Sequence, residues 1–238
     1  MSRTLTIAGR ELRAYFLSPG GYIIIALFLL ISGAIFSLVV FGEGELASLR
    51  AVFSGGTWLL AFIAPAVTMR LFSEEYRLGT YEALMTAPVR EREVVLGKFL
   101  GALGLLVLML VPTLIYLPAL ELHGRPDYGE ILCGYLGLLL AGSAYLASGI
   151  LASTLTSSQP VAFLMAMFFW LTLGLGAKLL PALLGEPLSA ILFALDPQLR
   201  LSDFTIGLLD TSNVVFFLTL TVLFISISIF ALQVRRWR

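Results

Sequence analysis

Residues Tyr22–Phe41 read YIIIALFLLISGAIFSLVVF, an apolar run that contains no charged side chain. A helix of about 20 residues rises about 30 Å, which matches the hydrocarbon core of a bilayer. The run is too long for the apolar core of a cleavable signal peptide, and Arg3, Glu11 and Arg13 precede it. It therefore predicts a transmembrane helix that is retained in the protein.

Five further stretches have the same character and lie near Gly55–Leu71, Phe99–Leu120, Ile131–Ala152, Pro160–Leu184 and Asn213–Val234. Apolar residues make up 59% of the chain, charged residues 13%, and mean hydropathy is +0.97. A soluble domain of 238 residues has too small an interior for that much apolar surface, and disordered chains contain far less of it. We therefore predict an all-α polytopic membrane protein with six transmembrane helices, folded as one domain over residues 1–238.

The segment before the first span, residues 1–21, has helical periodicity. Its apolar residues are Leu5, Ala8, Leu12, Tyr15 and Phe16, and Thr6, Arg10 and Arg13 lie on the other face. This pattern is typical of a helix that lies in the membrane interface with its apolar side towards the lipid. Ser18-Pro19-Gly20-Gly21 then breaks the helix and turns the chain into the membrane.

Lysine and arginine are distributed unevenly between the two sides that six spans define. The side with both termini has 11 of them: Arg3, Arg10, Arg13, Arg70, Arg77, Arg90, Arg92, Lys98, Arg235, Arg236 and Arg238. The other side has Arg50, Arg125, Lys178 and Arg200. Basic residues favour the cytoplasmic side. We therefore expect a multi-pass protein of the inner (cytoplasmic) cell membrane with both termini in the cytoplasm.

The segment 185–212 faces the outside in this topology. It contains two apolar-rich stretches, Pro187–Leu195 and Leu199–Leu209, which Asp196-Pro197 separates. Neither stretch is long enough to span a bilayer. We predict one or two short helices that lie on the outer face or dip into it.

The first cytoplasmic loop, residues 72–97, has the most informative pattern. Tyr81, Leu84 and Met85 form a small apolar face on a short helix, and its charges are Glu74, Glu75, Arg77 and Glu82. Gly79-Thr80 provides a break and an N-cap, and Pro88 ends the element. A short helix with exposed apolar and charged groups suits docking into a groove of a partner. A solvated loop whose charges only stabilise a turn fits the same composition.

The loop resembles that of the ABC-2 type permeases, the membrane subunits of ATP-binding cassette exporters. The shared pattern is Met-Arg-x-Phe-x-Glu-Glu, Gly-Thr-x-Glu-x-Leu, Pro and Val-Leu-Gly-Lys-Phe, matched here by residues 69–75, 79–84, 88 and 95–99. The chain is most similar to the gliding-motility type (GldF-like). Arg10-Glu11-Leu12, Ser18-Pro19-Gly20-Gly21-Tyr22, Gln159-Pro160-Val161-Ala162-Phe163 and Asp210-Thr211 carry that likeness.

The resemblance implies a fold and a partner. The loop would carry the coupling helix that seats on a nucleotide-binding subunit, the N-terminal helix would be the connecting helix, and segment 185–212 would supply short outer-leaflet helices. The expected partner-binding residues are Glu74, Glu75, Arg77, Gly79, Thr80, Tyr81, Glu82, Leu84 and Met85. A second permease, identical or related, would complete a dimer in the lipid.

We expect no catalytic, cofactor-binding or metal-binding residues in this chain. Lys98 follows Gly97 but precedes Phe99, so the sequence lacks a phosphate-binding P-loop, and ATP would be bound by the partner. A single histidine, His123, and a single cysteine, Cys133, cannot build a metal site alone. A net charge of zero gives no reason to expect nucleic acid as a partner.

Small residues and prolines within the spans indicate packing and kinks. Gly97, Gly101 and Gly104 recur at a spacing that allows close helix contact. Ser143 and Ser148 lie in a stretch of small residues, which favours packing over a nucleophile. The prolines at positions 65, 112 and 118 are typical of kinks, with a gating hinge as the alternative.

The preferred hypothesis is therefore a permease subunit of an ABC-2 exporter that couples ATP hydrolysis in a separate subunit to export or to force transmission. The spans contain almost no ionisable side chains, which argues against an ion-coupled carrier. A stand-alone carrier, ion-coupled or passive, and a non-transporting membrane scaffold remain the alternatives. The sequence leaves the substrate and the identity of the dimer mate open.

Overall fold

The computed structural model describes residues 3–40, 48–81, 89–122, 126–179 and 193–236. These ranges are almost entirely helical and contain no strand. Six helical segments in them are long and apolar enough to cross a membrane: Pro19–Leu38, Arg50–Leu78, Glu91–Glu121, Tyr128–Leu155, Gln159–Gly176 and Thr211–Arg235. The prediction of an all-α protein with six membrane spans is confirmed.

The helices are α1 (Arg3–Leu17), α2 (Pro19–Val40), α3 (Arg50–Thr68), α4 (Arg70–Leu78), α5 (Glu91–Leu110), α6 (Tyr116–Glu121), α7 (Tyr128–Leu155), α8 (Gln159–Leu179), α9 (Pro197–Thr205) and α10 (Thr211–Arg236). A 3₁₀ turn, Val111–Ile115, connects α5 to α6. Residues 180–192, in and beside the predicted outer segment, lie outside the described residues, as do His123 and Arg125.

Helix α7 lies at the centre of the bundle and packs against α3, α5, α8, α9 and α10. Its glycines make this possible, because a Cβ at Gly137 would lie 2.8 Å from Phe204 and one at Gly142 2.5 Å from Leu106. Close approach of backbones through small residues is the usual packing mode of helices in lipid. By contrast, α2 and α10 expose most of their apolar side chains on the outside of the bundle.

The spans near the predicted loop are longer than the sequence pattern indicates. The chain stays helical through α4 to Leu78, and α5 already begins at Glu91. Leu71 and Phe72 are buried, which accounts for the extra turns of α4. At α5, the Arg90 amide donates to the Glu93 carboxylate in a capping box. Residues 72–78 and 91–97 of the predicted loop 72–97 are therefore helical in the structure.

Prolines mark the irregularities of the spans. Pro112 lies in the 3₁₀ turn that separates α5 from α6, because a proline has no amide to continue the α-helical bonding. Pro65 lies inside α3, four residues before Met69, the residue that separates α3 from α4. In the described part of segment 185–212, residues 193–195 are helical and the short helix α9 follows, capped by the Asp196 carboxylate at the Gln198 amide.

Helix α1 and the C-terminal end of α10 lie at the end of the bundle that carries α4. Arg10 of α1 is 3.9 Å from Glu75 of α4, and Arg235 of α10 stacks on the ring of Tyr76 of α4. We call this end the basic end, and the end that carries Arg50, α9 and the start of α7 the opposite end.

Candidate functional site

Helix α4 is an arm that projects from the end of α3. Its first turn is buried, at Leu71, Phe72 and Ser73. Its end is exposed at Arg77 and Leu78, and Leu78 is 62% exposed. The Met69 amide still donates to the Pro65 carbonyl and Met69 has α-helical backbone angles, so the arm continues the span rather than hanging from a flexible loop. The buried start and exposed end place a rigid, accessible tip at the basic end.

Gly79 ends the arm. Its φ of 69° is in the left-handed region that glycine adopts without strain, and its amide bonds to the Tyr76 carbonyl. The predicted break at this position is confirmed. The Thr80 hydroxyl donates to the Glu75 carbonyl at 3.5 Å, so its proton serves the preceding helix, and the amides that it would cap lie outside the described residues. Helical geometry resumes at Thr80 and Tyr81. Glu82, Leu84 and Met85 lie outside the described residues.

A serine from the central helix holds the base of the arm. The Ser153 hydroxyl of α7 accepts hydrogen bonds from the amides of Phe72 (2.9 Å) and Ser73 (3.1 Å) and donates to the Met69 carbonyl (3.0 Å). Ser73 also donates to the Met69 carbonyl. The first amides of a helix have no partner within it. Ser153 therefore caps α4 from another helix, which fixes the arm to the core of the bundle.

A buried lysine ties the arm to two further helices. Lys98 of α5 is 1% exposed, and its ammonium donates to the Glu75 carboxylate (2.7 Å), the Leu71 carbonyl (2.7 Å) and the Glu11 carboxylate of α1 (3.3 Å). Arg10 completes the cluster at 2.9 Å from Glu11. We call Arg10, Glu11, Glu75 and Lys98 the charge cluster. Glu75, expected from the sequence to contact a partner, thus binds within the chain.

Helix α1 packs on α5 through the three glycines singled out in the sequence. A Cβ at Gly97 would lie 2.7 Å from Ile7, one at Gly101 2.8 Å from Glu11, and one at Gly104 3.5 Å from Leu12. Side chains at the first two positions would thus push α1 away from α5. The close approach allows Glu11 to reach Lys98.

The predicted orientation of α1 needs correction. The periodicity predicts that its whole apolar side faces lipid, but Tyr15 is 1% exposed and Ile7 and Leu12 pack against the bundle. Leu5 and Phe16 remain exposed. Periodicity alone does not distinguish the two apolar surroundings, protein and lipid, because both favour the same side chains.

Tyr15 joins α1 to the end of α3. Burial raises the pKa of its phenol above the ordinary value, so the hydroxyl stays protonated and donates to the Val67 carbonyl at 3.0 Å. The guanidinium of Arg70 lies 4.5 Å from the ring centre and donates to Ser18. This cation–π contact holds the start of α4 against α1 as well.

The C-terminal end of α10 reaches the other flank of the arm. Arg235 lies 3.8 Å above the ring of Tyr76 and donates to the Thr154 carbonyl of α7 at 3.4 Å. Tyr76 in turn packs edge-on against Tyr81, with ring centres 4.9 Å apart. Tyr81 is therefore half-buried beside the arm, on the far side of the Gly79 break.

The sequence-predicted partner residues thus fall into different surroundings. Arg77, Gly79 and Thr80 are exposed at the tip, Glu74 and Tyr81 are half-buried, and Glu75 belongs to the charge cluster. Sequence reasoning missed Glu11, Lys98, Ser153 and Arg235 as parts of this site. For Lys98 a signal existed: it is a lysine at the start of an otherwise apolar span, where a cation needs partners.

The serines and acidic groups elsewhere do not form a reactive site in the ranges the structure describes. The Ser143 hydroxyl lies 3.1 Å from that of Thr221, and Ser148 accepts from the Trp170 indole at 2.7 Å, so both join helices. Among the described residues, no group of three or more His, Cys, Asp or Glu side chains comes together as a metal site would require.

A protein-family model described as "ABC-2 family transporter protein" matches residues 5–236, nearly the whole chain. No curated protein matches the chain. The chain belongs to the ABC-2 family of transporter proteins. It is a multi-pass membrane component of the permease kind, and the resemblance stated from its motifs is confirmed at the level of this family.

Proposed function

We propose that this ABC-2 permease is driven by a separate ATP-binding subunit that docks on the tip of α4. The observation that carries the proposal is the exposed pair Arg77-Leu78 at the end of an arm whose base is buried. An exposed leucine beside a cation, just before a left-handed glycine, offers a partner both an apolar anchor and a charge. The P-loop missing from the sequence would lie in that partner.

The fastening of the arm supports a role in force transmission. Ser153 and Lys98 bond to its backbone, and Arg235 stacks on its side, so three different helices hold it. A partner that closes on ATP and pushes the tip would therefore move the spans. The nucleotide would act by favouring one of two arrangements of the membrane helices.

The proposed orientation places the basic end in the cytoplasm, where ATP is available. The side that carries both termini has 11 of the 15 lysines and arginines, a bias typical of cytoplasmic ends. A working unit would contain two permease chains, identical or related, and two ATP-binding subunits. Assignment to the gliding-motility type stays a prediction that rests on the motifs around Arg10, Ser18, Gln159 and Asp210.

Docking is tested by capture of a co-expressed ATP-binding subunit from the same operon on the tagged permease. We expect Leu78→Asp and Arg77→Glu each to reduce capture at least about tenfold, because truncating a central contact of an interface costs about 2 kcal/mol or more. Leu208→Asp is the matched control, since Leu208 is 58% exposed at the opposite end. Equal capture by Leu78→Asp and the control contradicts docking at the tip.

Reconstitution separates the proposal from a stand-alone carrier. Liposomes that contain the permease alone, with a proton or sodium gradient and no ATP, should show no transport of a labelled substrate. Transport should require the ATP-binding subunit and hydrolysable ATP. Gradient-driven transport by the permease alone would favour the carrier instead.

A further inference from the structure

We infer that Lys98 is a positioning residue that makes α1, α4 and α5 move as one body when the arm is pushed. The inference rests on the proposed docking of an ATP-binding subunit at the tip of α4. It assigns to the charge cluster the transmission of movement from the arm to α1, a role distinct from contact with the partner.

The first argument is the geometry of the ammonium. A lysine has three N–H donors, and Lys98 directs them to three acceptors: Glu75 and the Leu71 carbonyl of α4, and Glu11 of α1. Lys98 itself belongs to α5. One buried group thus joins three helices, and it grips α4 by its backbone as well as by a side chain. Any hinge of α4 away from α1 or α5 has to break at least one of these bonds.

The second argument is charge balance. Two cations, Lys98 and Arg10, face two carboxylates, Glu11 and Glu75, so the cluster is neutral as a unit. Separating α4 from α1 would leave a buried charge without its counterion, which is strongly unfavourable. The cluster therefore has a closed arrangement that resists partial opening, as expected of a rigid link rather than a compliant one.

The third argument is that the cluster completes a series of contacts from α7 through α4 to α1. Ser153 fixes α4 to α7, and the glycines of α5 let α1 approach closely enough for Glu11 to reach Lys98. Without the cluster, α1 would contact the arm mainly through Arg70 and Tyr15 at its base. The charge cluster holds α1 to the arm one turn farther towards the tip. If the tip is pushed, α4 moves farther at Glu75 than at Met69, where the arm begins.

The test measures nucleotide-dependent movement of α1 in the assembled complex. Spin labels on cysteines introduced at Arg13 and Leu208, which are both exposed, report the distance from α1 to the opposite end in a Cys133→Ser background. Distances are measured by pulsed EPR with the co-purified ATP-binding subunit, with and without a non-hydrolysable ATP analogue. In the parent protein we expect the distance to shift on addition of the analogue.

The decisive variant replaces the central pair by apolar residues, Glu75→Met with Lys98→Met. It leaves Arg10 and Glu11 balanced, and an isosteric apolar pair often preserves stability. We expect normal capture of the ATP-binding subunit but loss of the distance shift. Arg3→Gln is the matched control, because Arg3 and Glu93 join the same helices α1 and α5 through an exposed 4.0 Å contact. The control should keep the full shift.

A second variant, Glu11→Gln, keeps Lys98 paired with Glu75 and covers the case in which the double variant does not fold. It should retain capture and reduce the shift. An undiminished distance shift in either folded variant overturns the inference and leaves the docking proposal intact. A parent complex that captures the subunit but shows no distance shift has the same consequence. A parent permease that captures no ATP-binding subunit overturns the proposed function and the inference with it.

Discussion

The two ends of the bundle are held together by different means. At the basic end, Lys98 of α5 is 1% exposed and bonds to two other helices, α1 and α4, and Ser153 caps a helix that is not its own. At the opposite end, α3 and α7 are joined by Arg50 and Glu130, 3.0 Å apart, with the Arg50 side chain 56% exposed. Water screens the Arg50 side of that pair, although Glu130 is only 9% exposed, whereas the Lys98 ammonium is shielded from water.

This difference shows where the fold requires a fixed geometry. Exposed ion pairs contribute little and tolerate small movements, since water replaces a lost partner. Buried groups with several directed bonds allow few alternative arrangements. The basic end, where we propose that a partner pushes, has such groups in Lys98 and Ser153.

Loss of the Lys98 charge alone should have the greatest effect on stability. Lys98→Met leaves two carboxylates near each other with only Arg10, and breaking a buried ion pair costs about 3–5 kcal/mol. Arg50→Met at the opposite end should cost far less. Thermal unfolding in detergent, followed by labelling of the buried thiol of Cys133, compares them. Equal unfolding midpoints for Lys98→Met and Arg50→Met would mean that the ion pairs at the two ends stabilise the bundle equally.

Close packing of the arm's base should show the next effect. A Cβ at Gly149 of α7 would collide with the Thr68 hydroxyl at the end of α3, so Gly149→Ala should destabilise by about 3 kcal/mol. Gly9 of α1 is exposed, and a Cβ added there would meet no atom within 4 Å, so Gly9→Ala should be neutral or slightly stabilising. The same thiol-labelling midpoint measures both, and a stable Gly149→Ala protein would show that α3 and α7 can separate here.

The cap of the arm is expected to contribute somewhat less. Ser153→Ala removes the acceptor of the Phe72 and Ser73 amides, and a buried donor without a partner costs about 2 kcal/mol. Hydrogen exchange should rise locally at residues 70–78 before global unfolding. Ser37→Ala, which removes an exposed bond to Ala34, is the control and should leave exchange in α4 unchanged. Unchanged exchange in Ser153→Ala as well would show that the arm does not depend on this cap.

The weakest effect is expected at the opposite end. Glu130 is 9% exposed, but Glu130→Gln keeps a side-chain oxygen that can accept from Arg50 and Ser48, and Arg50 is exposed, so we expect only a slight fall in the unfolding midpoint. Raising the salt concentration should reduce that fall further, since exposed charges are screened. A large fall that does not change with salt would show that this pair is effectively buried.

The predicted first cytoplasmic loop shows what a sequence pattern can and cannot locate. The pattern identifies Gly79 as a break, because few other residues accept its left-handed conformation. The resemblance assigns Glu75 to a contact with a partner, which stays a prediction. In the structure Glu75 binds Lys98, which lies 23 residues later in the sequence. Nothing in the sequence next to Glu75 indicates its bond to Lys98.

The six spans, the common side of both termini and the ABC-2 resemblance all follow from the amino-acid sequence, because the cost of exposing polar groups to lipid acts on each segment separately. The packing of α1 on α5, the cap that Ser153 provides for α4 and the three bonds of Lys98 emerge only in the folded bundle. These contacts depend on which helix faces meet. The spacing of residues along the chain does not predict which faces meet, because apolar helices pack by shape and by a few directed polar bonds.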